Sequence, residues 1–390
     1  MNTFYGISTM QPSFRSRNIR HQIITLLQQS GPLSRADLAR RIGVARSTIT
    51  DAVGGLLDEG LCEEMETVPV TGRGRPAVNI ALAPGTGAAI GIDFGFRHVR
   101  GVIADLQHNI LAIEERELGA DYEFDSGIEA AFDIIDALSH RENAKSTRLL
   151  GVGIGLPCPT SNEGVTTRSA MIPKWSGRNV PKLFSERRPL PFVVENESRL
   201  AARGEFVWGA AKNVENFIYL KLHSGVGGAV VAGGNFIAGQ NGGAGELGHI
   251  SLDPQGPICR CGNRGCLEVY AGIPAVLAQA QPVHPNITLP QLMALYGAGD
   301  PAVTRIMSDT ARRVAQAMSM LCNALNPELV LIGGSLAGAG ERFIGIVQDE
   351  MKSMALELNR APRMQRGALG RNASALGGVA RVFELYAGSR

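Results

Sequence analysis

The 390 residues are 44% hydrophobic and 19% charged, the balance of an ordinary globular protein with room for two or three cored domains. No apolar run approaches the ~20 residues that cross a bilayer, and "MNTFYGISTMQPSFRSRNIR" lacks the apolar centre of a signal peptide, so a cytoplasmic location is expected. The net charge of +2 is uneven: residues 86–390 hold 29 basic and 29 acidic side chains, whereas residues 1–85 hold nine Arg, no Lys and seven acids. Arg without Lys suits planar recognition of phosphate and guanine.

"SRNIRHQIITLLQQSG" places Ile19, Ile23, Ile24, Leu26 and Leu27 at a helical period. In "SRADLARRIGVARSTITDAVGGLLDEGL", Ser34 caps a second helix with Asp37 in its first turn, and Gly43 permits a tight turn. A third helix is expected from about Arg46 to near Gly60, with Ile49, Val53, Leu56 and Leu57 inward. This is the helix-turn-helix pattern, whose second helix enters the major groove. Arg46, Ser47, Thr48 and Thr50 are its expected exposed contacts to DNA. Ala45 stands where a hydroxyl would cap that helix, an omission worth about 1 kcal/mol. "CEEMETVPVTGRGRPAVNIALAP" then reads as a β-hairpin whose tip, with Arg73 and Arg75, forms a wing reaching the minor groove.

After a short linker, "PGTG", the pattern "AAIGIDFGFRHVRGVIADLQHNILA" reads strand, turn, strand, turn, strand. "NFIYLKLHSGVGGAVVAGGNFIAG" repeats it about 125 residues later, which predicts two similar lobes with a cleft between them. A long helical stretch, 302–324, precedes a third Gly turn in "NPELVLIGGS". Glycine turns after strands let backbone N–H groups approach phosphate, although each alone also fits a plain hairpin. Asp93 and the Gly turns at 224–228 and in "NPELVLIGGS" together resemble the nucleotide elements of actin-like sugar kinases.

"VVENESRLAARGE" puts Glu195, Asn196 and Glu197 at a strand end, "GAGELGHISL" supplies Glu246 and His249, and "GCLEVYAG" supplies Glu268. Carboxylates, an amide and an imidazole in Gly-rich surroundings suit a sugar pocket. Trp175 is weighed as an apolar wall of that pocket against a place in the core. "CRCGNRGC" packs three of the six cysteines into eight residues. In a reducing compartment such a cluster favours metal over a disulfide.

These elements resemble the ROK family (repressors, open reading frames and sugar kinases), and more closely its winged-helix regulators, from about residue 15 onward. The most specific element, "GHISLDPQGPICRCGNRGCLE", matches the family pattern G-H-x9-C-x-C-G-x2-G-C-x-E. The resemblance implies that His249, Cys259, Cys261 and Cys266 hold one zinc ion per chain, and that Asn196, Glu246, His249 and Glu268 contact sugar, beside Glu197. One His and three Cys make a closed, structural Zn²⁺ site. The resemblance also implies an α/β fold: a winged helix-turn-helix over 1–83, then a two-lobed, actin-like (ribonuclease H-like, sugar-kinase type) domain over 84–390 with its zinc loop at 249–266, assembled as homodimers or homotetramers.

Family kinases carry an Asn-Asp pair whose aspartate takes the proton from the sugar hydroxyl; here the pair is Asn196-Glu197, and one added methylene misplaces the base. "DFGFRH" also sets Phe96 and Arg97 in the first phosphate turn. The expected function is therefore a transcriptional regulator, a repressor of carbohydrate genes, that binds operator DNA and responds to a sugar or phosphosugar in a degenerate kinase cleft, without catalytic residues. The alternatives are an active ATP-dependent sugar kinase fused to a DNA-binding domain, or a regulator controlled by a partner protein.

Overall fold

The computed structural model describes residues 14–65, 78–83, 85, 87–119, 122–145, 147–167, 173–359 and 361–388. Three helices come first: α1 (Phe14–Ser30), α2 (Arg35–Ile42), preceded by β1 (Leu33–Ser34), and α3 (Arg46–Asp58). β2 (Cys62–Met65) and β3 (Asn79–Leu82) pair antiparallel, and β1 completes a small sheet in the order β1-β3-β2. Ser34 Oγ accepts from Asp37 N at 3.1 Å, and Gly43 closes α2 at φ 77°, a left-handed conformation that glycine adopts freely. The expected helix-turn-helix is therefore present, with Ile49, Val53 and Leu56 buried on α3. The expected wing tip, with Arg73 and Arg75, lies outside the described residues.

The first lobe contains β4 (Ala88–Phe94), β5 (His98–Asp105), β6 (Ile110–Glu117), α4 (Phe124–Ser139), α5 (Glu142–Lys145), β7 (Leu149–Leu156), α6 (Val180–Arg187) and β8 (Phe192–Asn196). α7 (Glu197–Val207) leads into the second lobe: β9 (Phe217–Leu222), β10 (Val226–Ala232), β11 (Asn235–Phe236), α8 (Glu268–Ala271), α9 (Ile273–Ala280), α10 (Leu289–Ala298), α11 (Pro301–Leu325), β12 (Leu329–Gly333), α12 (Gly340–Met354) and β13 (Arg363–Arg366). α13 (Ala373–Gly388) follows. The sheets run β6-β5-β4-β7-β8 and β11-β10-β9-β12-β13, each with three antiparallel strands followed by parallel ones. The repeat expected from the two strand-turn patterns is thus a repeat of topology.

Strand alternation assigns the layers. Ile90 and Ile92 on β4 pack toward α4, whereas Gly91 faces α13 so closely that a Cβ would lie 1.7 Å from Ala375 O. In the second sheet, Ile218 and Leu220 join the core with α11 and α12, while Phe217 and Tyr219 face Ala201 and Ala202 of α7. α7 and α13 therefore lie between the two sheets as a central pair, and Gly377 admits the Leu200 carbonyl where a Cβ would clash at 1.7 Å. The outer part of α13 (Val379, Val382 and Phe383) shares a core with Ile19, Ile23, Ile24 and Leu27 of α1, which anchors the winged helix. Among the described residues, no helix is long and apolar enough to cross a membrane.

Candidate functional site

A cleft of about 1440 Å³ is lined from both lobes and receives the ends of β4, β9 and β12 and the start of α7. Asn196, Glu197, Glu246, His249 and Glu268 all line it, so the structure brings the sequence-chosen polar set together. Their lone pairs are less free than the sequence suggests. Asn196 caps α7: Oδ1 accepts from Ser198 N at 2.9 Å, and Nδ2 donates to Cys158 O at 3.3 Å. Glu197, the first residue of α7, lies 2.7 Å from Lys221 Nζ. Glu268 Oε2 accepts from Val226 N at 3.0 Å and from Arg260 Nη2 at 2.5 Å.

Lys221 and Arg260 escaped the sequence reading. The available signal for Lys221 was a lone cation inside the apolar strand "FIYLKL", beside a Gly turn. Burial pushes the Lys221 pKa down, but the Glu197 and Asp93 carboxylates outweigh it and hold the ammonium above its usual range. Asp93, at the inner end of β4, is pushed up by burial and by the Glu197 charge, and its Oδ1 has no hydrogen-bond partner among the described residues. Burial likewise raises Glu246, and burial with the nearby Lys221 lowers His223 to about 4. Phe96 is half-buried and Arg97 exposed, and both line the cleft at the first Gly turn.

Trp175 is not a pocket wall. It is buried in the first-lobe core, its ring edge-on to Phe94 at 4.9 Å and Phe124 at 4.6 Å.

His249, Cys259, Cys261 and Cys266 form a group whose candidate ligand atoms all lie within 4.8 Å of one another. His249 Nδ1 is 3.6 Å from Cys259 Sγ, and Cys261 Sγ is 3.7 Å from Cys266 Sγ. A tetrahedron with metal–sulfur bonds of ~2.3 Å has edges of about 3.8 Å, so this donor set fits a four-coordinate ion. The loop closes through Cys259 N to Asn263 O at 2.7 Å, with Gly262 and Gly265 at positive φ. Glu268 Oε1 lies 3.9 Å from Cys259 Sγ, which joins this cluster to the cleft. Cys62, Cys158 and Cys322 are buried elsewhere.

On the winged helix, Arg46, Ser47 and Thr50 are exposed at the start of α3. Thr48, expected to be exposed, is half-buried, because it lies one position from the inward Ile49. Thr50 Oγ1 donates to Arg46 O at 2.9 Å. Ala45 makes no side-chain cap.

A family model described as ROK family matches residues 89–384, and one described as MarR family matches residues 20–66. The xylose repressor of Bacillus spizizenii is 28% identical over 365 residues, covering 92% of this chain and 93% of its own. A glucokinase of Halalkalibacterium halodurans is 30% identical over 279 residues, covering 65% of this chain and 83% of its own. The crystal structure of a ROK family transcriptional regulator, a homologue of the E. coli Mlc protein, superimposes with a TM-score of 0.83 at 25% identity. That match covers 96% of this chain and 98% of the other.

Proposed function

The chain belongs to the ROK family, and from that membership we propose that it is a DNA-binding transcriptional regulator, a repressor whose operator affinity is set by a sugar or phosphosugar in the cleft. The observation that carries this reading is the shared core of α1 and α13: the winged helix is packed onto the body that holds the cleft. The similarity to a xylose repressor along 92% of this chain supports it. The functional division falls at 83/84. Arg46, Ser47, Thr48 and Thr50 would meet the major groove, and Arg73 and Arg75 the minor groove. A homodimer or homotetramer would set two α3 helices on half-sites a helical turn, or a multiple, apart.

In the cleft, Asn196, Glu197, Glu246, His249 and Glu268 would meet sugar hydroxyls. Zinc held by His249, Cys259, Cys261 and Cys266 would act as a structural cross-link, since four protein ligands leave no open position. With Nδ1 turned to the sulfurs, the other His249 nitrogen is left for a hydroxyl partner.

Kinase activity is not part of this reading. Glu197 is engaged by Lys221 where a sugar hydroxyl would have to deliver its proton, and the bulky Phe96 lines the cleft at the first phosphate turn. Two assays test the proposal on the full-length protein. A coupled ADP assay over hexoses and N-acetylhexosamines should stay flat. Titration of D-xylose, D-glucose and N-acetyl-D-glucosamine 6-phosphate against a bound operator should change DNA affinity for at least one of them. If none acts and a partner protein does, sugar control is wrong.

A further inference from the structure

We propose that α7 and α13 act as one lever that transmits the occupancy of the cleft to the winged helix, with Arg203 as its positioning residue. The proposal rests on the reading of the cleft as an effector site, and adds how that site is connected.

The start of α7 is part of the cleft: Asn196 caps it and Glu197 opens it. Its middle is tied to α13 in two ways. Backbones meet directly, since a Cβ on Gly204 would lie 2.3 Å from Ala373 O and one on Gly377 1.7 Å from Leu200 O. Packing this close leaves no soft side-chain layer to absorb a shift. Charges then lock the register. Arg203, only 4% exposed, donates Nη1 to both Glu384 oxygens at 2.5 Å, and its Nη2 lies 3.6 Å from Glu195 Oε2. Glu195 immediately precedes Asn196 and also faces Arg199 Nη1 at 3.4 Å. A displacement at the cap therefore reaches Glu384 through Glu195 and the buried Arg203 guanidinium.

The far end of the pair touches the winged helix twice. Val379, Val382 and Phe383 of α13 pack on α1. Trp208, which ends α7, donates Nε1 to His108 O at 3.0 Å, and its ring lies 4.7 Å from the His108 ring, which stacks on Phe383. The same β5–β6 turn is held to α1 by Gln28 Nε2 donating to Leu106 O at 2.9 Å, and to β3 by Gln107 Nε2 donating to Leu82 O at 3.1 Å. Both routes leave the cleft through α7 and arrive at the base of the helix-turn-helix. The Glu205 carboxylate, accepting from Ala210 N, Ala368 N and Leu369 N, fixes the same helix to the second lobe. A change in lobe closure must then move α7, and α13 with it.

Linkage makes this testable from the DNA side without any sugar, because coupling is reciprocal. Hydrogen exchange is measured on the full-length, zinc-loaded protein with and without a duplex selected by it from a random pool. Exchange should change at 196–208 and 373–388 as well as within 14–65. A change confined to 14–83 overturns the lever. In a second arm, Arg203→Met with Glu384→Leu replaces the buried charges by apolar groups of similar size. D-xylose, D-glucose and N-acetyl-D-glucosamine 6-phosphate are then compared on both proteins. Any of these that shifts operator affinity at least about 5-fold in the parent should bind the variant unchanged, yet shift its operator affinity less than about 2-fold. Undiminished coupling in the folded variant also overturns the lever. Phe383→Leu, at the α1 end, gives the same contrast if the double variant fails to fold. If no probe binds even the parent, the cleft reading fails, while the exchange experiment still decides the lever.

Discussion

Lys221 Nζ and Glu197 Oε2 lie 2.7 Å apart at the point where the two lobes meet, with the buried Asp93 close enough to raise the ammonium further. Both side chains are largely withdrawn from water, 15% and 16% exposed, so each is the other's main compensation. Lys221→Met should destabilise the protein by about 2 kcal/mol, because it leaves a mostly buried carboxylate without its partner. Adding Glu197→Gln should return part of that loss. Urea denaturation of the four proteins in the cycle checks this, and strictly additive costs would show that the pair is not coupled.

If the cluster holds zinc as proposed, metal analysis of the purified protein should find one zinc per chain, and Cys259→Ser, Cys261→Ser and Cys266→Ser should each abolish it and lower the melting temperature. They should also blunt the sugar response, because Glu268 touches Cys259 and lines the cleft. A variant that loses zinc but answers sugar normally would separate ion from pocket.

Ala45 has the extended backbone of a helix cap (φ −62°, ψ 147°) without a capping side chain. Ala45→Ser should stabilise α3 by about 1 kcal/mol. The change is read as a rise in melting temperature of the winged helix, and no rise would mean that another group already satisfies the first turn.

Arg46→Ala should weaken operator binding and reduce the slope of log affinity against log salt by about one, the signature of one lost phosphate contact. Arg73→Ala with Arg75→Ala should weaken binding most on A·T-rich flanks. Fluorescence anisotropy across a salt series measures both. An unchanged slope and affinity would remove these arginines from the interface.

His108 is held neutral, its pKa lowered from 6.5 to about 4 by burial and by Lys212. The folded value lies below the unfolded one, so the unfolded chain binds the extra proton. The contribution of His108 is therefore complete above about pH 6.5 and is lost as pH falls toward 4, by up to about 3 kcal/mol. His223 behaves alike. His108→Asn, which tolerates the positive φ of 68° found there, should remove about half of this acid sensitivity in urea titrations at pH 7 and pH 5.

Much of this was legible because it is local. Ser34 and Gly43 bound a helix wherever it packs, and the family resemblance of the stretch from His249 to Cys266 singled out the four side chains that the fold brings together. The two strand-turn patterns carry their topology in alternation and glycine. Lys221 was hidden because a lysine in a strand is read as facing solvent, and only the other lobe's Glu197 explains it. Arg260 was hidden inside the cysteine pattern, where its neighbours drew the attention. Trp175 looked the same in sequence whether it lined a pocket or filled a core. The part played by α13 was the least visible: "ASALGGVARVFELYAG" is a glycine-interrupted helix of modest propensity, and the reason for its glycines lies in β4 and α7, far back in the chain.

α13 is also the last of the described elements to leave the ribosome. Gly91 of β4 and Leu200 of α7 are shaped to receive it, and its Val379, Val382 and Phe383 share a core with Ile23 and Leu27 of α1. A nascent chain up to about residue 372 therefore exposes an apolar trough between β4 and α7, and a first helix that lacks its α13 contacts. Such surfaces are what holdase chaperones grip. The winged helix is thus fully joined to the body only once α13 is made and the cleft's central helix has received its partner.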